Sequence, residues 1–80
     1  MAKARQLLAG ASYDPATLKM MAQAFDDAWA AVAANYNSPL AIEAARLKLA
    51  NIVLSFVADG ERDPDHLKHS AVRVMGVDDP

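Results

Sequence analysis

Apolar residues recur along this chain at steps of three and four, the period of a helix with one buried face. The clearest run is Leu18, Met21, Ala22, Phe25, Ala28, Trp29, Val32 and Tyr36, with Lys19, Gln23, Asp26 and Asp27 opposite. This stripe predicts an amphipathic helix over about 15–34 and places Trp29 in the core. A second segment, about 39–58, is apolar around most of its circumference. Leu40, Ile42, Leu47, Leu49, Ile52, Val53, Leu54, Phe56 and Val57 leave only Lys48, Asn51, Ser55 and Asp59 as a polar stripe. Such a helix belongs at the centre of a bundle, touching helices on two sides, or at a subunit interface. A third segment, about 64–75, carries the short seam Leu67, Ala71, Val74 and Met75, which must dock on the other two. No strand alternation persists beyond a few residues.

The punctuation agrees with three helices. Asp14-Pro15, Ser38-Pro39 and Asp63-Pro64 each pair a capping residue with proline. The cap accepts from first-turn amides, and proline fits the next position because its missing N–H would have had no partner. A repeated pattern, Asp14-Pro15-x-x-Leu18-Lys19-x-x-Ala22 and Asp63-Pro64-x-x-Leu67-Lys68-x-x-Ala71, is explained by the same helix-start chemistry. Gly60 and Gly76 stand where left-handed caps would end the second and third helices, and Gly10 closes a short N-terminal stretch similarly. The connections, Asn35-Tyr36-Asn37-Ser38 and Asp59-Gly60-Glu61-Arg62-Asp63, are short and polar. They place sequential helices side by side and antiparallel. The expected fold class is all-α: a small three-helix bundle over residues 13–76. Residues 1–12 form either a short helical turn or a frayed end, and residues 77–80 form a loose acidic tail.

Composition narrows this picture. Eighty residues allow one small domain, and of the 54% that are apolar, 18 residues are alanine. The core is therefore modest, near the lower limit for a self-sufficient domain. Eight Lys and Arg against ten Asp and Glu give a net charge of −2. That argues against a general nucleic-acid binder or a polybasic membrane anchor. No apolar run approaches the roughly 20 residues of a membrane span. Behind Lys3 and Arg5, the stretch Leu7-Leu8-Ala9 is too short for a secretory signal. Without cysteine there is no disulfide, thiolate metal site or Cys nucleophile.

Candidate chemistry is sparse. His66 and His69, three apart with Asp63 and Asp65 upstream, share a helical face as two imidazoles of a zinc or nickel site would. The three-residue step and the want of a distant ligand favour exposed surface histidines. Asp59, Glu61, Asp63 and Asp65 surround Arg62, but a calcium loop needs oxygens over twelve residues closing on glutamate. Here Pro64 interrupts the pattern and position twelve is Ser70. Capping by Asp63 and a favourable helix-dipole position for Asp65 account for these acids. Arg46 falls inside the apolar arc of the second helix, with Glu43 three residues earlier as a candidate partner. It is either a cation that selects an acidic partner or an arginine laying its stem over apolar surface. Trp29 with Phe25 and Tyr36 is either core or a partner-facing aromatic patch, and helical spacing favours core. No phosphate loop, catalytic triad or acid/base carboxylate pair can be assembled, so no catalytic, cofactor or metal residue is assigned.

Taken together, four stretches resemble a family of short uncharacterised alphaproteobacterial helical proteins. They are Tyr13-Asp14-Pro15-x-Thr17-Leu18, Ala24-Phe25-Asp26-x-Ala28-Trp29, Ala45-Arg46-Leu47-x-Leu49-Ala50-x-Ile52-x-Leu54 and Gly60-x-Arg62-Asp63-Pro64-x-x-Leu67. The resemblance spans about residues 13–75. It implies a small helical domain of unknown function in the bacterial cytoplasm, and it supplies no activity, ligand or catalytic residue.

The functional expectation is a non-catalytic protein–protein interaction or regulatory module. It would act through the surface of the second helix, on an unknown protein partner or on itself. The alternative is a helix-turn-helix-like DNA binder using Lys68, His69 and Arg73 on the third helix. Asp63 and Asp65, at the start of that helix, oppose it.

Overall fold

Each helix begins at a proline. In the computed structural model, which describes residues 13–78, α1 spans Pro15–Val32, α2 spans Pro39–Ala58 and α3 spans Pro64–Asp78. No strand occurs among the described residues. The expectations for residues 1–12, including Gly10, lie outside the described residues, as do positions 79 and 80 of the expected tail.

The three caps differ. Ser38 Oγ accepts from the Ala41 amide at 3.1 Å, and Asp63 Oδ1 accepts from the Asp65 amide at 3.0 Å, as expected of N-caps. Asp14 has the extended backbone of an N-cap, but its side chain makes no capping bond to a first-turn amide. Its carboxyl is held below the ordinary aspartate range chiefly by the Thr17 side chain, partly opposed by desolvation.

Two helix ends depart from expectation. α1 stops at Val32 and tightens into a 3-10 turn, Ala33–Asn35, closed by the Tyr36 amide donating to the Ala33 carbonyl at 3.1 Å. Tyr36 is therefore extended and outside the helix, and its ring turns back to stack on Trp29. The end of α3 moves the other way. Gly76 does not cap it; the helix continues to Asp78, so Val77 and Asp78 belong to it and not to a loose tail. Met75 is fully buried, so core packing holds the last turn despite the intrinsic cost of a helical glycine. At the end of α2, Gly60 adopts φ 104°. Its amide donates to Val57 at 3.0 Å and that of Glu61 to Phe56 at 3.0 Å. These are the paired bonds of a Schellman cap, which needs a residue comfortable at positive φ.

The core is apolar throughout. Phe25, Met21, Leu49, Leu67, Met75, Val53 and Val57 are fully buried, and no buried residue described is polar. Burying each such side chain is worth about 1.5–3 kcal/mol. α1 and α3 pack together most extensively, while α2 makes fewer contacts with each of them. The most apolar helix therefore touches helices on two sides, as expected, but is the least extensively packed of the three. Each helix buries small residues, Ala24 and Ala28 on α1, Ala45 and Ala50 on α2 and Ala71 on α3. α2 leans on both neighbours and keeps a flank outside.

Candidate functional site

α2 exposes what the bundle does not consume. Leu40, in its first turn, is 84% exposed. Leu47 and Leu54 follow at seven-residue steps, hence along one side of the helix; both are partly buried, packed against the rim of the core with part of their surface left open. On the other flank an open groove of about 540 Å³ runs between α2 and α3. Ile52, Phe56 and Val74 supply its apolar lining and Lys48, Asn51 and Ser55 its polar lining. Asn51 also donates back to the Leu47 carbonyl at 3.1 Å.

The most distinctive chemistry lies between α1 and α2. The Arg46 guanidinium sits 5.0 Å from the centroid of the Phe25 ring and 5.5 Å from that of Trp29. Both distances suit cation–π attraction. Trp29 stacks on Tyr36 with centroids 5.7 Å apart and planes inclined by 17°. Phe25 is fully buried, whereas Trp29, Tyr36 and Arg46 are half-buried. Trp29 is thus not the deep core residue its spacing suggested; it closes the edge of the core. Glu43 forms no ion pair with Arg46 among the described residues.

The acidic α2–α3 corner has a structural account. Arg62 donates to the Val57 carbonyl at 2.9 Å and the Glu61 carbonyl at 2.8 Å, and its guanidinium lies 5.6 Å from the centroid of the Tyr13 ring. It thereby neutralises the end of α2 and ties residue 13 to it. The Glu61 carboxylate accepts from the Asp63 amide at 3.1 Å and meets the His66 ring. Its pKa is lowered, first by the His66 contact and then by the Asp63 amide. His69 turns instead to the Asp65 carbonyl at 2.7 Å. The two histidines thus make separate local contacts, and no group of three or more potential metal ligands occurs among the described residues. Sequence reasoning missed the Arg62–Tyr13 contact and the reach of Glu61 to His66. Five-residue spacing across a loop and a helix start carries no periodic signal.

Comparison of the chain with protein-family models, with curated proteins and with solved structures finds no match. No helix among the described residues is long and apolar enough to cross a membrane. The functional reading rests on the surfaces of α2.

Proposed function

We propose that this chain is a non-catalytic interaction or regulatory module that binds a partner, or a second copy of itself, through α2. One observation carries the reading: the Leu40, Leu47 and Leu54 flank, headed by a leucine that is 84% exposed. A lone exposed leucine is ordinary, but a row of partly covered leucines along one helix is surface fit for a second helix or an apolar groove. The resemblance to short alphaproteobacterial proteins supports placing this activity in the bacterial cytoplasm.

The helix-turn-helix alternative would set α3 into a DNA groove. Asp63 and Asp65, both exposed, put negative charge at the end of α3 that would approach phosphates. Arg73 is exposed and Lys68 half-buried on the same helix, a sparse basic footprint.

The test compares the parent with Leu40→Asp. An acid in the first turn of a helix is tolerated or mildly favourable, so melting should change by no more than a few degrees. The variant should lose self-association in sedimentation, or lose the partners the parent captures from native cytoplasm. Unchanged association and an unchanged captured set would contradict the reading.

A further inference from the structure

We infer that the Arg46 guanidinium, seated on Phe25 and Trp29, is the docking point for a side-chain carboxylate of an acidic peptide segment on a partner protein. This rests on the interaction-module reading and names the chemistry of its partner. An arginine taken half out of water needs acceptors for its five N–H groups. The aromatic rings lie within cation–π distance of its charge, but they are weak acceptors for the N–H groups at its edge. No hydrogen bond or carboxylate contact engages that edge among the described residues. A carboxylate matches the planar fork with two parallel bonds.

The same geometry favours a carboxylate over a phosphate. A dianion is usually gathered by several cations or a helix N-terminus. Lys48 lies about 200° around α2 from Arg46 at 100° per residue, so it faces elsewhere. Glu43 sits one turn before Arg46 and repels a double charge more strongly than a single one.

Trp29 is the only tryptophan of the chain and lies 5.5 Å from the guanidinium, so its fluorescence reports occupancy. The probes are a capped decapeptide alternating aspartate and leucine, the same peptide with asparagine for aspartate, and inorganic phosphate, all at low salt. The aspartate peptide should change the emission saturably, with affinity at least about tenfold above that of the asparagine peptide. Arg46→Gln should reduce that affinity about tenfold, and Arg46→Lys, which keeps the charge without the fork, should lose about fivefold. Glu43→Gln should strengthen binding. Equal response to both peptides, unchanged binding by a folded Arg46→Gln or Arg46→Lys, or a match by phosphate would overturn the inference. No response to the aspartate peptide, alongside loss of association in Leu40→Asp, would remove the inference and leave the interaction module standing.

Discussion

Arg46 and Arg62 make the same contact and do different work. Each guanidinium lies over an aromatic ring, Arg46 over Phe25 and Trp29, Arg62 over Tyr13. Arg62 also donates to the Val57 carbonyl in the last turn of α2 and to the Glu61 carbonyl in the loop beyond it, where a cation offsets the helix dipole. Its place is accounted for by the bundle's own backbone. Arg46 emerges from the middle of α2, where every carbonyl already has an intrahelical partner. Among the described residues no hydrogen bond or ion pair engages its N–H groups, which are left to solvent or to a partner. Position along a helix, more than the ring contact, separates an arginine that ends a helix from one held between two helices.

The largest effect should come from the ring shared by the core and Arg46. Phe25→Ala should cost about 3–5 kcal/mol by urea denaturation, because it empties a fully buried site. A loss under about 2 kcal/mol would mean that the site collapses onto Arg46 and that the two are not independent.

The arginines themselves should separate next. Arg62→Ala should cost about 1–2 kcal/mol through lost charge-assisted bonds, reduced by its exposure. Arg46→Ala should cost about 0.5–1 kcal/mol, the range of a partly exposed cation–π contact. A reversed order in thermal melts would break the comparison and make Arg46 the structural residue.

The two glycines give a paired check on the helix ends next to these corners. Gly60→Ala should destabilise by about 1–2 kcal/mol because its φ is positive. Gly76→Ala should stabilise by about 0.5–1 kcal/mol, since Gly76 is helical and a Cβ there meets nothing within 4 Å. Effects of the same sign would contradict either the positive φ of Gly60 or the helical place of Gly76.

The smallest effect should be the pH response of the Arg62 corner. The Glu61 carboxyl is lowered from its ordinary value of 4.5, so the folded state favours its charged form. That stabilisation is complete above about pH 4.5 and is lost as pH falls through the lower folded value. Asp14, lowered from 3.8, acts in the same direction somewhat lower on the scale. Glu61→Gln should therefore flatten the loss of melting temperature between about pH 5 and pH 3, with little change at pH 7 beyond the lost His66 contact. An acid limb as steep as the parent's would place the protons elsewhere.

Much of the fold was legible in the chain because its signals are local. The prolines mark all three helix starts, and the three- and four-residue stripes of α1 and α3 identify Met21, Phe25, Leu67 and Met75 as inward-facing, whereas the near-continuous apolar surface of α2 did not single out Leu49 and Val53. Capping by Ser38 and Asp63 and the positive φ of Gly60 follow from the same short-range rules. The candidate site was legible only as an arginine inside an apolar arc. Which rings it meets depends on how α1 and α2 are set against each other, and no single-helix pattern contains that information.

Local chemistry thus determined where the helices begin and which faces turn inward, since both depend on residues within one turn of each other. Tertiary packing decided the rest. It carried α3 through Gly76 because Met75 is buried, brought Tyr36 back onto Trp29 across a 3-10 turn, and joined α1 to α3 more closely than to α2. It also set Arg46 against the Phe25 and Trp29 rings. Each of these depends on the fit of surfaces distant in sequence, where packing outweighs propensities of about 1 kcal/mol or less.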